Sequence, residues 1–249
     1  MTHQEPAVGA ATGALAAVPA AGNRRSLPMP AHLRFYLGPM DCGKSTLALQ
    51  IDHNHARQGR CGLVLTQGDR SANPRITTRV GMSRAAVELD SSTDLRELVR
   101  RQWAAGQRVD YLIVDEAQFL SPGQVEQLVD LVDDSHVDVY AFGLATDFRS
   151  RLFPGSQRLF ELADTVLALQ VEVLCWCGRP GGFNGRVVGG ALVREGEQVV
   201  IPTQRPRPKP VTRCCAGAII VAASSVPAGR RNRNCRCREL SAFEVRKDG

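Results

Sequence analysis

Short apolar runs alternate with amphipathic stretches between residues 33 and 170. Each run spans only a few residues and is mostly apolar, which is typical of a strand buried on both faces of a sheet. The runs predict strands at Leu33–Leu37, Gly62–Thr66, Tyr111–Val114, Val137–Phe142 and Val166–Leu169.

The stretches between these runs repeat apolar residues at helical spacing. They predict helices at Lys44–Ala56, Ser92–Ala104, Pro122–Val132 and Ser156–Ala163. Ser121 followed by Pro122 is a typical helix start, because Ser caps the first turn and Pro is tolerated at its first position. Strands and helices that alternate in this way predict an α/β fold with a parallel sheet covered by helices.

The rest of the chain lacks this alternation. Residues 1–28 are rich in Ala, Gly and Pro without a period, so we predict a disordered leader. We predict a core domain over residues 29–170, a small module over 171–200 and a basic tail over 201–249. The longest apolar runs, such as Ala216–Ala223, are far shorter than the ~20 residues of a membrane span, so we expect no membrane partner.

The formal net charge of +6 misrepresents the core. Eleven basic and three acidic residues lie after Pro202, so the tail carries +8 and residues 1–202 carry −2. This distribution gives no reason to expect a specific nucleic-acid partner. Eight Cys follow an N-terminus without a secretory signal, which favours a cytoplasmic chain with metal-binding or free thiols over disulfides.

The first predicted strand leads into a phosphate-binding loop. The loop reads Gly38, Pro39, Met40, Asp41, Cys42, Gly43, Lys44, Ser45 and Thr46, which is the pattern G-x-x-x-x-G-K-S before a helix. Glycines let backbone amides turn inward around phosphate oxygens, and the helix N-terminus adds a positive dipole end. We expect Lys44 to reach the terminal phosphates and Ser45 to offer its hydroxyl to Mg²⁺.

A second strand ends in two carboxylates, because Tyr111–Val114 leads directly into Asp115 and Glu116. Asp115 is the expected acidic partner of Mg²⁺. Glu116 lies one residue further, where a base could meet a substrate. The two motifs together predict a bound nucleoside triphosphate with Mg²⁺ but do not identify the phosphate acceptor. A nucleic-acid-coupled NTPase is one alternative, although the slightly acidic core and the lack of room for a second motor domain disfavour it.

These motifs and several others, in fixed order, resemble the thymidine kinases of the tetrameric, zinc-containing type, and most closely the actinobacterial branch. The resemblance covers about Met29 to Val200 and implies a RecA-like P-loop sheet with helices on both faces. It also implies a homotetramer that transfers the γ-phosphate of ATP to the 5′-hydroxyl of thymidine. The matching strings are Met40-Asp41-Cys42, Asp115-Glu116-Ala117-Gln118-Phe119, Ala141-Phe142-Gly143-Leu144, Thr146-Asp147-Phe148-Arg149, Leu152-Phe153-Pro154-Gly155 and Cys175-Trp176-Cys177-Gly178.

The resemblance implies roles for single residues. Glu116 is expected to accept the hydroxyl proton as the catalytic base. The ATP side is expected to include Asp115, Gln118 and Arg149 besides the loop, and Asp69 and Arg70 lie where the family has an acidic–basic pair. The thymine ring is expected among Met40, Phe119, Leu144, Phe148 and Phe153. Core packing is the alternative for each of these aromatic residues, and a structural role is the alternative for Arg149.

In the family, a zinc ion clamps a loop called the lasso, which closes over thymidine. Here the resemblance makes Cys175 and Cys177 zinc ligands and residues 179–188 the lasso, and a closed structural site needs four ligands. The family places the second pair in a string resembling Tyr-Glu-Val-Leu-Cys-Arg-Arg-His, which is absent from this chain. The alternatives are a substitute pair or non-ligating thiols at Cys214, Cys215, Cys235 and Cys237.

A shift of reading frame would explain the missing string. Residues 212–219 read Thr-Arg-Cys-Cys-Ala-Gly-Ala-Ile, and their allowed codons, read one base earlier, can encode the family string. We therefore hypothesise a frameshift between Val200 and Val211, which re-reading the DNA would test. Met29 likewise resembles the usual start of family members, so a misplaced start codon is the alternative to a genuine leader. A non-catalytic remnant of a kinase is the second alternative function.

Overall fold

The computed structural model describes residues 30–68, 73–78, 81–174, 180–188, 191–192, 195–196 and 198. Its strands are β1 (Leu33–Leu37), β2 (Gly62–Gln67), β3 (Arg75–Thr77), β4 (Ser83–Ala85), β5 (Val87–Leu89), β6 (Tyr111–Asp115), β7 (Asp138–Gly143), β8 (Thr165–Ala168), β9 (Val187–Val188) and β10 (Ala191–Leu192). Its helices are α1 (Lys44–Arg57), α2 (Leu95–Ala104), α3 (Pro122–Ser135) and α4 (Pro154–Leu162). A short 3-10 turn, Ala117–Phe119, follows β6.

Six strands form one sheet in the order β5–β2–β6–β7–β1–β8, and every pair is parallel. The predicted parallel α/β architecture is therefore confirmed. Parallel strands end at the same edge of a sheet, and here Leu37 at the end of β1 pairs with Gly143 at the end of β7. Strand β6 lies on the other side of β7. The phosphate loop after β1 and the carboxylates at the end of β6 consequently share one edge, which is where ligands bind in such sheets.

Helices cover both faces of the sheet, as expected. On one face, Leu112 and Val114 of β6 belong to a core with α2, α3 and α4. On the other face, Tyr111 and Ile113 belong to a core with α1. This alternation follows from the two-residue period of a strand. Strand β6 is apolar at successive positions because each of its two faces packs into a core of its own.

The start of α3 agrees with the sequence prediction, and the start of α2 does not. Helix α3 begins at Pro122 as predicted, and Ser121 and Gln124 form a reciprocal capping box in front of it. Helix α2 begins at Leu95 and not at the predicted Ser92. Its cap is Asp94, whose carboxylate accepts hydrogen bonds from the backbone amides of Arg96 and Glu97. An Asp side chain caps a helix at least as well as Ser does, so the helix begins after Asp94.

The edges of the sheet correct the sequence prediction. The run Val166–Leu169 was expected to be buried on both faces, but all four residues of β8 are exposed because it is an edge strand paired with β1 alone. Strand β5 and the separate β3–β4 hairpin were not predicted, since three residues carry too little pattern. Within the described residues, no helix is long and apolar enough to cross a membrane.

Candidate active site

The phosphate loop between β1 and α1 turns at two residues with left-handed backbone conformation. Asp41 has φ 66° and Gly43 has φ 84°. Gly38 is required for a different reason, because a Cβ at this position would lie 2.5 Å from the sulfur of Cys42. Cys42 is fully buried in this contact. The thiol therefore packs inside the loop and is not offered to a ligand.

Lys44 begins α1, and its side chain folds back across the loop. Its Nζ donates hydrogen bonds to the carbonyl oxygens of Gly38 at 3.1 Å and Pro39 at 2.9 Å. The residue is only 9% exposed, and these carbonyls satisfy donors that would otherwise be costly to bury. A positive charge is thus held at the loop that is predicted to receive phosphates.

Ser45 and Asp115 connect the loop to the end of β6. The Ser45 hydroxyl donates to Asp115 Oδ2 at 3.2 Å. Burial raises the pKa of Asp115 to about 6, with the adjacent Glu116 charge acting in the same direction and hydrogen bonds from Ser45 and the Glu116 amide opposing it. A hydroxyl and a carboxylate that meet at a loop for phosphates are hard oxygen donors, and they fit Mg²⁺.

Glu116 follows β6 with a φ of 54°, at the point where the strand gives way to the 3-10 turn. A non-glycine residue in this region costs about 1–3 kcal/mol, so its surroundings must hold it there. Its amide donates to Asp115 Oδ1 at 3.0 Å, and its carboxylate accepts from Gln118 Nε2 at 2.5 Å. The carboxylate is partly exposed and has a fixed orientation.

Gln118 is the residue that fixes this orientation. Its side chain is 1% exposed, and its Oε1 accepts from the amide of Leu144 at 3.0 Å. Both ends of the amide are therefore used inside the protein, between Glu116 and the end of β7. The resemblance implies a place for Gln118 on the ATP side, and its observed contacts are with the predicted base and with a predicted pocket residue.

The loop after β7 is organised around Asp147, which is almost fully buried. Its carboxylate accepts from the amides of Arg149 at 2.7 Å and Arg151 at 3.0 Å. Arg149 returns an ion pair to Asp147 at 2.8 Å and donates to the Gly196 carbonyl at 3.2 Å. These contacts give Arg149 the structural role that the sequence left open. Its role on the ATP side stays a prediction.

Three of the predicted pocket residues, Leu144, Phe148 and Phe153, follow β7 and are largely buried. The ring of Phe153 packs edge-on against Phe119, with 5.6 Å between centroids. The ring of Phe148 lies beneath the guanidinium of Arg186, 3.9 Å from the ring centroid. The turn after β6 and the loop after β7 therefore meet through their aromatic residues.

Met40, the remaining pocket residue, contacts the segment that was predicted to be the lasso. Its amide donates to Asn184 Oδ1 at 2.8 Å, across 144 positions of sequence. The Asn184 side chain is buried at this contact. The described part of the segment, residues 180–188, is thus attached to the phosphate loop through Asn184.

A family model for thymidine kinase matches residues 31–214, which is most of the chain. The chain belongs to the thymidine kinase family. The fold and the motifs described above are those that the resemblance predicted, so the recognition from sequence is confirmed.

Individual relatives agree with this assignment. The thymidine kinase of Streptomyces coelicolor is 56% identical over 169 residues, which is 68% of this chain and 78% of that protein. The thymidine kinase of Cutibacterium acnes is 53% identical over 169 residues, which is again 68% of this chain and 78% of that protein. The thymidine kinase of Legionella pneumophila (strain Paris) is 39% identical over 174 residues, 69% of this chain and 82% of that protein. The higher identities fit the predicted actinobacterial branch.

Among solved structures, the Pif1 helicase from Candida albicans is similar over 56% of this chain and 36% of that chain. The identity is 18% and the TM-score is 0.35, so the likeness carries no argument about function.

The structure brings together most, but not all, of the predicted site. Lys44, Ser45, Asp115 and Glu116 share the edge of the sheet, as described above. Cys175, Cys177, Asp69 and Arg70 lie outside the described residues, and their roles stay predictions. Within the described ranges, no group of three or more His, Cys, Asp or Glu side chains could hold a metal ion.

Two side chains of the segment 180–188, Asn184 and Arg186, gained specific contacts that the sequence did not predict. Both fell within the predicted lasso, but no spacing rule identifies a lone Asn or Arg as an anchor. The only sequence signal for a contact at Asn184 is a polar side chain between two residues without one, Phe183 and Gly185. Their partners are distant in sequence, so only the fold reveals the contacts.

Proposed function

We propose that this chain transfers the γ-phosphate of ATP to the 5′-hydroxyl of thymidine, forming dTMP for deoxynucleoside salvage. The observation that carries the proposal is the 3.2 Å contact between Ser45 and Asp115, with Glu116 as the next residue. This contact joins a loop suited to phosphates to the end of β6, where the next residue, Glu116, is the proposed base. Membership of the thymidine kinase family supplies the identity of the phosphate acceptor.

The reaction requires one bond to form and one to break. The 5′-oxygen of thymidine bonds to the γ-phosphorus, the bond from that phosphorus to the β,γ-bridging oxygen breaks, and ADP leaves. Glu116 takes the hydroxyl proton. A carboxylate is an adequate base because positioning and charge neutralisation supply most of the catalysis in phosphoryl transfer. Gln118 holds that carboxylate in place before the substrates arrive.

The ATP side consists of the loop, the start of α1 and the end of β6. The Lys44 ammonium donates to two neutral carbonyl oxygens of the loop and to the Cys42 sulfur at 3.9 Å, and charged phosphate oxygens make stronger hydrogen bonds with it. Amides at the helix N-terminus offer further donors. Ser45 and Asp115 would hold the Mg²⁺ of the MgATP substrate, and this ion neutralises phosphate charge when bound.

The thymine side is proposed to lie among the apolar residues named from the resemblance. Two contacts support this placement: Phe119 packs on Phe153, and Leu144 is hydrogen-bonded to Gln118, the neighbour of Phe119. Flat apolar side chains suit a pyrimidine ring. Burial of its methyl group is worth about 0.8 kcal/mol, which favours thymidine over deoxyuridine.

A structural Zn²⁺ at Cys175 and Cys177 is part of the proposal, with the two further ligands supplied by a substitute pair among Cys214, Cys215, Cys235 and Cys237. The chain offers these two thiolates in the expected place, and thiolates are good zinc ligands. Metal analysis of the purified chain should find zinc, and Cys175→Ser should release it. The exposed Cys61 provides the control, because Cys61→Ser leaves the proposed ligands untouched. Zinc retained by Cys175→Ser would remove Cys175 from the ligand set.

We also propose a cytoplasmic homotetramer. The support is apolar surface: Phe160 on α4 and Val166 and Leu167 on β8 are exposed large side chains. Light scattering with size-exclusion chromatography should give four chains per particle. Leu167→Asp should shift the distribution towards smaller species if this surface is part of the assembly, and an unchanged distribution would place the interface elsewhere.

The test of function asks which molecule the chain needs in order to use ATP. The purified chain is incubated with ATP and Mg²⁺, with thymidine in one sample and single-stranded DNA in another. We expect dTMP and ADP in equal amounts in the first sample and no stimulation in the second. ATP hydrolysis that depends on DNA, without dTMP, would establish the nucleic-acid-coupled alternative. Absence of both products would identify a non-catalytic remnant.

A further inference from the structure

The hydrogen bond between Met40 and Asn184 is the basis of a further inference. The Asn184 side chain is 6% exposed, and its Oδ1 accepts from the Met40 amide at 2.8 Å. Buried polar contacts of this kind fix geometry, because losing one partner leaves the other unsatisfied. The contact joins the phosphate loop to the segment 180–188, hereafter the arm.

The loop side of this contact is itself constrained. The carbonyls just before Met40, those of Gly38 and Pro39, accept from Lys44, while Asp41 just after it has a left-handed backbone. Lys44 therefore holds the loop through its carbonyls, and Asn184 holds it through an amide. These are two separate restraints on the loop that is proposed to bind phosphates.

The arm is also held in place by contacts on both sides of Asn184. The amide of Gly181 donates to the carbonyl of Val173 at 2.7 Å, ahead of Asn184. The guanidinium of Arg186 stacks on the ring of Phe148, two positions beyond Asn184. The arm is therefore attached on both sides of Asn184.

We propose that Asn184 is a positioning residue for the phosphate loop, and that it couples the placement of the arm to the placement of Met40. The inference rests on the proposed kinase function, in which Met40 borders both the phosphates and the thymine ring. Asn184 acts through Met40 and does not itself touch the reacting atoms. Loss of its oxygen acceptor loosens the loop and so weakens productive binding of thymidine.

The direct test measures the Met40 amide itself. The four methionines of the chain are Met1, Met29, Met40 and Met82, so ¹⁵N-methionine labelling yields few amide signals. In the full chain, Asn184→Ala should speed hydrogen exchange at Met40 and lower kcat/KM for thymidine about tenfold. Asn184→Asp keeps an acceptor oxygen and should preserve slow exchange. Asn54→Ala, which alters an exposed Asn of α1, should change neither.

The outcomes separate this inference from the kinase assignment. Slow exchange at Met40 that survives in Asn184→Ala overturns the inference, as does normal kcat/KM accompanied by faster exchange. If Asn184→Ala does not fold, Asn184→Ser removes the reach of the side chain but keeps the site polar, and the same exchange criterion applies. Lack of dTMP from the parent chain contradicts the kinase assignment, while the exchange measurement still decides the role of Asn184.

Discussion

The side chain of Gln118 holds the carboxylate of Glu116, with 2.5 Å between Nε2 and Oε2. The other end of the same amide accepts from the backbone of Leu144 at 3.0 Å. One buried amide therefore connects the proposed base after β6 to the proposed thymine side after β7. The orientation of the base consequently depends on the junction of two strands, and not on the local turn alone.

Replacement of Gln118 by Leu should impair catalysis more than binding. The change removes the donor to Glu116 and leaves the Leu144 amide without its side-chain acceptor. We expect kcat to fall at least tenfold and the free energy of unfolding to fall by about 1–3 kcal/mol. Steady-state kinetics and urea unfolding measure the two effects. Gln157→Leu, which removes an exposed contact to Glu161, should leave both unchanged.

The hydroxyl of Ser45 should be required for use of MgATP. Ser45→Ala removes the donor to Asp115 and one proposed oxygen ligand, so the KM for MgATP should rise about tenfold. Ser45→Thr keeps the hydroxyl and should stay near the parent value. Titration of activity against ATP at fixed Mg²⁺ makes the comparison, and equal KM values for the Ala and Thr variants would contradict the role of the hydroxyl.

Gly155 should tolerate no side chain. A Cβ there would lie 2.6 Å from the Leu120 carbonyl oxygen and 2.7 Å from that of Ala117, and backbone atoms cannot move aside cheaply. Gly155→Ala should lower the free energy of unfolding by roughly 1–3 kcal/mol. Gly123→Ala in α3 meets nothing within 4 Å and should raise that free energy by about 0.5–1 kcal/mol. Thermal unfolding of both variants would show opposite signs.

His55, on the last turn of α1, is held in a polar cluster at the opposite edge of the sheet. Its Nδ1 lies 3.0 Å from Arg60 Nη1, which can only donate, so Nδ1 accepts and Nε2 donates to the Tyr140 hydroxyl at 2.9 Å. Burial lowers the pKa of His55, and the Arg60 charge lowers it further. The other charged groups that act on the ring are Asp138, Arg34 and Asp52.

The contribution of His55 to the free energy of unfolding should therefore decrease as the pH falls. The pKa of His55 in the folded state lies below its unfolded value of about 6.5, so the unfolded chain takes up the proton first. Stability is lost as the pH passes below about 6.5 and levels off under the folded pKa. His55→Gln should reduce the change in melting temperature between about pH 7.5 and pH 5.5. His53→Gln, at an exposed position of α1, should not.

The core strands and helices were predictable because their patterns are strong. Strand β1 and the first residues of α1 and α3 agree with the prediction to the residue, since a buried run, a phosphate loop and a Ser-Pro cap each mark a boundary. The exposed face of β8 was not predictable. Its apolar residues read as buried, and only the strand order shows that it lies at an edge.

The site divides in the same way. Lys44, Ser45, Asp115 and Glu116 were predictable because phosphate and Mg²⁺ chemistry demands those residue types next to strand ends. The holding role of Gln118 was not predictable, because it depends on a contact with Leu144 across 26 positions. Contacts between distant segments leave no local pattern, so the sequence identifies the reacting groups better than the residues that position them.

Formation of dTMP by the purified chain and by Glu116→Gln tests the central claim most directly. The substitution keeps the size of the side chain and removes the base, so kcat for dTMP should fall by about 10²–10⁴-fold while MgATP still binds. Glu88→Gln, at an exposed position of β5, should retain the parent rate. A parent chain that forms dTMP and a Glu116→Gln variant that forms it equally fast would contradict the assignment of Glu116 as the catalytic base.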